Sequence, residues 1–172
     1  MTGDLRAKVI VVSDGVVAGT REDRSGEALS AALVAAGYEV VDRRAIPDGA
    51  EGVAAALLEA CRDFSGLVIT TGGTGFGPRD QTPEGTLAVL ERQAPGLAEA
   101  MRGASPLGRL SRAVAGTIGT ALVLNTPGSP KGAVESFEAI ADVLGHAIAL
   151  SASQETVHPG DGVRSAGRHA AL

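Results

Sequence analysis

The stretch that decides the fold is GLVITTGGTGFGPRDQTPE, residues 66–84. Its apolar start, Leu67 to Thr71, is typical of a buried strand. Four glycines then fall within six residues, and Thr82-Pro83-Glu84 follows as a strong helix start with a capping hydroxyl, an early proline and an acid in the first turn. Glycines let the backbone approach a ligand closely. Combined with hydroxyls and an acid, this loop suggests a phosphorylated ligand with a metal ion.

The segments before this stretch alternate between strand and helix. Apolar runs predict strands at 8–12 and 38–46, a polar loop at 14–24, a helix at 26–36 capped by Ser25, and a helix at 51–64. This order implies right-handed crossovers and a parallel sheet with helices on both faces.

The part of the chain after the stretch continues the α/β pattern. The predicted elements are a helix at 84–92 capped by Thr82, a break at Pro95-Gly96, a resumed helix at 97–102, a loop or short helix at 103–112, a strand pair at 113–118 and 121–124, and a last helix at 130–149 capped by Ser129. We expect one domain over residues 1–158 and a flexible tail over residues 159–172.

Composition limits the kind of partner. The chain has 172 residues and a net charge of −5, and aromatic residues make up only 2%. Nucleic-acid binders need basic surfaces, and single-strand binders also need aromatic platforms, so we expect no nucleic-acid partner. Without an apolar run near ~18 residues or a signal peptide's apolar core, we expect no membrane contact and a cytoplasmic location. The only cysteine, Cys61, is expected to be a small core residue.

Two aspartates follow predicted strands. Asp48 comes after the strand that ends at Ile46, and Asp80 stands in the glycine-rich loop. Because ligands bind at the carboxyl ends of parallel strands, both side chains are expected at one edge of the sheet. Mg²⁺ prefers one or two carboxylates completed by waters and phosphates. On local pattern alone, a turn residue after Pro47 is the favoured interpretation of Asp48, and Asp80 is equally a loop cap or a partner of Arg79.

The loop from Gly72 to Gly75 is a candidate phosphate site. Successive free N–H groups in such a loop bind anions, and Thr71 and Thr74 add hydroxyls. No Gly-Lys-Ser/Thr follows, so this is not a Walker A loop. It follows the third strand, and Pro78 and Pro83 delay the helix, unlike a dinucleotide-binding turn. The plainer alternative is a tight strand-to-helix turn, which seldom needs four glycines.

Three further groups of residues are candidates for ligand contact. The loop Pro127-Gly128-Ser129-Pro130 leads into a helix whose first N–H groups attract anions, a role compatible with ordinary capping. Ser111 and Arg112 either contact the ligand or form a solvated helix end. Asp14, just after the first strand, either binds a nucleotide or caps the next segment.

Several short segments carry a resemblance to a known family. They are Val12–Gly15, Ile46–Asp48, Thr70–Gly75, Arg79–Glu84, Pro95–Leu97, Leu110–Ala113 and Pro127–Gly132. In this combination and order they resemble the molybdopterin adenylyltransferase family, the MogA/MoaB group, over roughly residues 7 to 158. Gln81 departs from the family, in which many members have Val, and so does Gly85, where Ala or another residue is common.

The resemblance implies a three-layer α/β/α sandwich around a mostly parallel sheet, assembled as a homotrimer. It implies Mg²⁺-dependent transfer of AMP from ATP, the co-substrate, to the terminal phosphate of molybdopterin, with release of pyrophosphate. Asp48 and Asp80 align with two essential aspartates of the family, which gives them catalytic and metal-binding roles. With the candidates above, the predicted substrate residues are Ser13, Asp14, Thr71, Gly72, Gly73, Thr74, Gly75, Ser111, Arg112, Pro127, Gly128, Ser129 and Pro130.

Two alternatives to this activity stay open. One is a non-catalytic or weakly active molybdopterin-binding or assembly protein on the same fold. The other is a general nucleotide-binding α/β enzyme, which the missing Walker lysine and the extent of the resemblance disfavour. The resemblance also allows an interaction with the metal-insertion protein of the same pathway.

Overall fold

The computed structural model describes residues 5–153. These residues form the strands β1 (Arg6–Val12), β2 (Glu39–Ile46), β3 (Gly66–Thr71), β4 (Arg92–Gln93), β5 (Ala115–Ile118) and β6 (Ala121–Thr126). They also form the helices α1 (Asp14–Val17), α2 (Arg24–Ala35), α3 (Ala50–Cys61), α4 (Thr82–Leu87), α5 (Pro95–Gly103), α6 (Pro130–Glu138) and α7 (Ala141–Ala152), with a short 3₁₀ helix at Pro106–Leu110.

The strands form a single mostly parallel sheet in the order β2-β1-β3-β6-β5-β4. Strands β2, β1, β3 and β6 are parallel neighbours, whereas β5 pairs antiparallel with both β6 and β4. Strands β3 and β6 are buried along their whole length, as expected for central strands covered on both faces. The predicted fold class, a mixed α/β sandwich around a mostly parallel sheet, is confirmed.

Alternating strand residues divide the core into two layers. On one face, Val9 and Ile69 pack with α2, α5, α6 and α7, including Leu29 and Phe137. On the other face, Ile10, Val68 and their neighbours pack mainly with α3. This period-two alternation is what two helix-covered faces require.

The first predicted loop contains more structure than expected. Residues 14–17 form α1, because the Ser13 hydroxyl accepts a hydrogen bond from the N–H of Val16 at 3.2 Å. The cap of α2 is Asp23 and not Ser25, because the Asp23 carboxylate reaches the N–H of Gly26 at 2.8 Å. Ser25 is buried in the first turn of the helix instead.

The boundaries after β3 also differ from the prediction. Helix α4 ends at Leu87, and Arg92 and Gln93 pair with β5 as the short strand β4. Thr82, the predicted cap, is the first residue of α4, and its hydroxyl donates to the glycine-rich loop instead. Gln81 precedes the helix without capping it, and its side-chain oxygen accepts from the N–H of Ala50 at 3.2 Å. Pro95 begins a helix where a break was expected, in agreement with the preference of proline for the first helical turn.

The last predicted helix is two helices, α6 and α7. The chain turns at Ile140, which has a non-helical conformation and is 1% exposed, so the break places this side chain in the core. Ser129 caps α6 as predicted, accepting from the N–H of Gly132 at 3.1 Å. Residues 113 and 114 lie outside the strand pair, and β6 extends to Thr126.

Cys61 is buried at the end of α3, and burial raises the pKa of its thiol to about 11. The prediction of a core residue is confirmed, since such a thiol stays protonated. Between residues 5 and 153, none of the helices has the length and hydropathy needed to cross a membrane. The last residues of the predicted domain, 154–158, and the predicted tail, 159–172, lie outside the described residues.

Candidate functional site

The loops that carry the candidate residues meet at the carboxyl edge of the sheet. Strands β1 and β3 are neighbours, but the chain leaves β1 toward β2 and leaves β3 toward the opposite side. In open α/β sheets a crevice forms at such a switch point, and ligands bind there. The loops after β1 and β3 flank this crevice, and the loops after β2 and β6 stand beside them.

The glycine-rich loop begins with a close contact between strands. Gly72 and Gly73 have φ of +104° and +66°, which L side chains rarely adopt. A Cβ at Gly72 would overlap the carbonyl oxygen of Val12 at the end of β1. The Gly72 N–H donates to the carbonyl oxygen of Thr126 at 3.1 Å, which ties the loop to β6. Only glycine allows the chain to turn at this position.

Buried threonines hold the loop from below. The Thr82 hydroxyl donates to the carbonyl oxygen of Gly72 at 2.8 Å, and the Thr82 N–H donates to that of Gly73 at 3.0 Å. The Thr71 hydroxyl donates to the carbonyl oxygen of Pro127 at 2.7 Å, which joins the loops after β3 and β6. Threonine thus fixes the backbone here, and the hydroxyl of Thr71 is engaged within the protein.

The loop leaves successive N–H groups available. The carbonyl oxygens of Gly72, Gly73 and Thr74 accept hydrogen bonds from the protein, but the N–H groups of Gly73, Thr74 and Gly75 donate to none of residues 5–153. Successive free N–H groups in a tight loop form an anion-binding concavity. The geometry therefore supports a phosphate site in this loop.

Asp48 and Asp80 lie on either side of the loop, and each is oriented by one backbone N–H. Asp48 Oδ2 accepts from the N–H of Asp14 at 2.8 Å, and Asp80 Oδ2 accepts from the N–H of Gly77 at 2.9 Å. The Oδ1 atom of each aspartate has no hydrogen bond within the described part of the chain, and no lysine or arginine there forms an ion pair with either carboxylate.

Both carboxylates line the cleft, and their chemistry is suited to a cation. No group of three or more histidine, cysteine or acidic residues that could hold a metal occurs within the described residues. Mg²⁺ does not need such a group, because it binds through one or two carboxylates and takes its other ligands from water and phosphate. Two oriented carboxylates that form no ion pair within residues 5–153, beside a loop with available N–H groups, match that donor set.

The cleft between these loops has a volume of about 860 Å³, a size typical of small-molecule sites. The predicted residues that line it are Ser13, Asp48, Thr71, Gly72, Gly73, Thr74, Gly75, Asp80, Ser111, Pro127, Gly128, Ser129 and Pro130. The fold thus brings all but two of the predicted site residues, Asp14 and Arg112, to one cavity.

Asp14 and Arg112 form ion pairs beside the cleft. Asp14 binds the guanidinium of Arg79 through two hydrogen bonds of 3.0 Å, and this contact holds the pKa of the Asp14 carboxyl below its ordinary value. Arg112 binds Glu84 and holds the pKa of that carboxyl below its ordinary value in the same way. Neither Asp14 nor Arg112 lines the cavity. The structure therefore gives no support to direct ligand contact by these two residues.

The sequence prediction missed other residues of the cavity wall. Arg21, in the loop before α2, and Arg24, at the start of that helix, line it on one side. Leu107 and Leu110 line it from the 3₁₀ helix, with exposed fractions of 75% and 56%. The remaining unpredicted lining residues are Val11, Val12, Val16, Thr20, Glu22 and Ser25. The two arginines were detectable in principle, because they follow a strand that ends at the predicted edge.

Known proteins are similar to this chain over nearly all of the residues that the structure describes. A family model described as "probable molybdopterin binding domain" matches residues 8–146. The molybdopterin adenylyltransferase of Escherichia coli K12 is 38% identical over 152 residues, which cover 84% of this chain and 77% of that protein.

Two solved structures extend the similarity to three dimensions. The molybdopterin biosynthesis enzyme MoaB from Thermus thermophilus has a TM-score of 0.80 and 41% identity, covering 86% of this chain and 96% of the other. The molybdopterin biosynthesis Mog protein from Mycobacterium ulcerans has a TM-score of 0.79 and 38% identity, covering 86% and 99%. The resemblance predicted from short motifs is confirmed, and the chain belongs to the molybdopterin adenylyltransferase family, the MogA/MoaB group.

Proposed function

We propose that this protein is an enzyme of molybdenum cofactor biosynthesis that transfers AMP from ATP to molybdopterin in the presence of Mg²⁺. An oxygen of the terminal phosphate of molybdopterin attacks the α-phosphorus of ATP, the bond between that phosphorus and the bridging oxygen breaks, and pyrophosphate leaves. Support comes from relatives that are named molybdopterin adenylyltransferases and cover most of the chain.

One observation in the structure carries the proposal. Asp48 and Asp80 each keep one carboxylate oxygen unbonded to any described residue, on either side of a loop whose N–H groups are also available. Both substrates are anions, so a site for their reaction must reduce charge repulsion and align the reacting groups. A cation between two carboxylates, together with N–H donors, meets that requirement.

The residues of the cleft have separate tasks in this proposal. Asp48 and Asp80 hold Mg²⁺, which supplies charge neutralisation between phosphate oxygens when it is bound. The N–H groups of Gly73 to Gly75 bind a phosphate. The N–H groups of Gly128 and Ser129, just before α6, donate to none of residues 5–153 and line the same cavity as a second donor set. The exposed leucines of the 3₁₀ helix offer an apolar surface for the ring of either substrate.

The resemblance also implies a homotrimer and allows a contact with a metal-insertion protein, and the sequence pattern indicates a cytoplasmic location; these stay predictions. The mass of the purified protein in solution, measured by light scattering, tests the first of them. A mass equal to that of one chain at micromolar concentration would contradict it.

The first test is a pyrophosphate-release assay with ATP, Mg²⁺ and purified molybdopterin. We expect release that requires all three components and falls by at least about 100-fold in Asp48→Asn and Asp80→Asn, because a carboxylate that binds a metal contributes several kcal/mol. These substitutions keep the size of the side chain. Asp63→Asn is the matched control, since Asp63 lies in the exposed turn between α3 and β3, at φ 51°, which asparagine also tolerates.

The outcomes separate the proposed function from its alternatives. Wild-type rates in either aspartate variant would contradict the roles of Asp48 and Asp80. Tight binding of molybdopterin by the wild-type protein without pyrophosphate release would favour a non-catalytic binding or assembly protein. Pyrophosphate release that does not depend on molybdopterin would favour a general nucleotide-binding enzyme.

A further inference from the structure

Each candidate metal aspartate has its main-chain carbonyl bound by an arginine. Arg79 Nη2 donates to the carbonyl oxygen of Asp48 at 2.8 Å. Arg112 Nη2 donates to the carbonyl oxygen of Asp80 at 2.6 Å, and Arg112 Nε donates to that of Gly75 at 2.8 Å. Both guanidinium groups therefore hold the backbone next to a metal-binding side chain.

Each arginine is also neutralised by an acid outside the cleft. Arg79 forms two parallel hydrogen bonds with the Asp14 carboxylate, and Arg112 contacts both carboxylate oxygens of Glu84. An arginine meant to bind a substrate phosphate would present its charge and its donors to the cavity. These two use most of their donors within the protein and do not line the cavity.

The contacts join loops that are far apart in sequence. The Asp14 carboxylate accepts from the N–H of Asp48 at 3.0 Å, and the Asp48 carboxylate accepts from the N–H of Asp14 at 2.8 Å. Arg79 adds the loop after β3 to this reciprocal pair. On the other side, the Arg112 N–H donates to the carbonyl oxygen of Thr74 at 2.9 Å, which joins the segment before β5 to the glycine-rich loop.

We infer that Arg79 with Asp14, and Arg112 with Glu84, are positioning residues that hold the Asp48 and Asp80 carboxylates in place for a divalent cation. The inference rests on the proposed function for the metal-binding role of Asp48 and Asp80. Groups that orient metal ligands typically change metal affinity or activity by 10–100-fold when they are removed. The same range is expected here, without direct contact between either arginine and the substrates.

The test measures Mn²⁺, a paramagnetic substitute for Mg²⁺, by electron paramagnetic resonance in the presence of ATP. In Arg79→Met, the Mn²⁺ dissociation constant should rise by about 10-fold or more. Arg79→Lys should fall between the wild type and Arg79→Met, because one ammonium group cannot reproduce the bidentate bond together with the carbonyl bond. Asp14→Asn combined with Arg79→Met should be little worse than Arg79→Met alone, since both changes break the Arg79–Asp14 pair and asparagine keeps an oxygen that can accept from the Asp48 N–H.

Arg44→Met is the matched control. Arg44 also joins a carboxylate to a main-chain carbonyl, Glu59 at 3.0 Å and Ala56 at 3.3 Å, but it does not line the cleft or touch its loops. It should change stability and leave Mn²⁺ affinity as in the wild type. The Mn²⁺ dissociation constant of Arg112→Met is measured in the same way. If circular dichroism shows that Arg112→Met does not fold, Arg112→Lys, which keeps a cation beside Glu84, is measured in its place.

A second readout separates positioning from general damage. If Arg79 acts through the metal site, raising the Mg²⁺ concentration should restore much of the pyrophosphate-release rate of Arg79→Met. A folded Arg79→Met protein with wild-type Mn²⁺ affinity overturns the inference for Asp48, and a folded Arg112 variant with wild-type affinity overturns it for Asp80. A wild-type protein that binds no Mn²⁺ in the presence of ATP overturns both.

These outcomes are distinct from failure of the proposed function. A wild-type protein that releases no pyrophosphate, but whose Mn²⁺ affinity falls in the arginine variants, contradicts the adenylyl transfer and supports the positioning. A wild-type protein that releases pyrophosphate, with arginine variants of unchanged Mn²⁺ affinity, supports the adenylyl transfer and contradicts the positioning role.

Discussion

Asp48 and Asp80 are both held in place by hydrogen bonds, but the residues that form those bonds differ. Asp80 is held mainly by its own loop, through the N–H of Gly77 three residues away, and by Arg112, whose side chain is 32% exposed. Asp48 is held by residues 31 and 34 positions away, through Arg79, whose side chain is 62% exposed, and Asp14. The Asp80 carboxylate is therefore held by local loop geometry and only its carbonyl by a distant residue, whereas both contacts of Asp48 come from separate loops.

The largest expected effect comes from disturbing the local geometry of Asp80. A Cβ at Gly77 would lie 2.8 Å from Asp80 Oδ2, and Gly77 has no left-handed φ, so alanine is compatible with the backbone but displaces the carboxylate. We expect Gly77→Ala to reduce the rate of pyrophosphate release by about 100-fold, the effect of a misplacement near 1 Å. The melting temperature should change little, because a flexible carboxylate yields to the new methyl group.

Gly52→Ala is the matched change on the Asp48 side. Gly52 lies in α3, and a Cβ there would meet nothing within 4 Å. This variant should keep its activity and gain slightly in stability, as alanine usually does in a helix. Equal loss of activity in the Gly52 and Gly77 variants would remove the contrast between the two sides.

A smaller effect is expected when the two arginines are compared by stability. Arg112→Met removes donors from partly buried carbonyl oxygens and from Glu84, and should lower the free energy of unfolding by roughly 2 kcal/mol. Arg79→Met should lower it by less, because water replaces the lost donors at a solvent-exposed pair. Urea unfolding of both variants measures the difference. A larger loss in Arg79→Met would show that the exposed contacts are the stronger ones.

The smallest expected effect is in the pH dependence of stability. The hydrogen bond from Arg112 lowers the pKa of Glu84 below its ordinary value of 4.5. A carboxyl with a lowered pKa stabilises the fold above its unfolded pKa, and this contribution is lost as the pH falls below about 4.5 through the folded value. Compared with Glu84→Gln, the wild type should be more stable at neutral pH, and the difference should shrink below about pH 4.5. A thermal unfolding series would contradict this if the difference stayed constant.

The sequence was sufficient for the features that depend on short-range chemistry. The buried runs predicted β1, β2 and β3 within two residues of their observed ends, and strand order placed Asp48 and Asp80 at one edge of the sheet. The glycine cluster predicted a run of available N–H groups, because only glycine lets the chain turn so closely against the end of a neighbouring strand. These inferences needed periodicity and chain order but no tertiary contact.

The remaining features depended on contacts between distant residues. Nothing local to Asp14 or Arg112 reveals that their charges are satisfied by Arg79 and Glu84, at separations of 65 and 28 residues. The break at Ile140 follows from the core position of its side chain, not from a helix-breaking residue. Likewise, Arg92 joins a strand because β5 is available to pair with it.

The strand β2, at one border of the sheet, also affects how these molecules behave when they are crowded. An open strand is a template on which a second chain can add, and proteins protect such strands with charged side chains. Asp42, Arg43 and Arg44 stand in a row on β2 and form ion pairs with one another or with the neighbouring helices. Within residues 5–153 no strand pairs with the outer edge of β2, and these charged side chains protect that edge against fibril-like association.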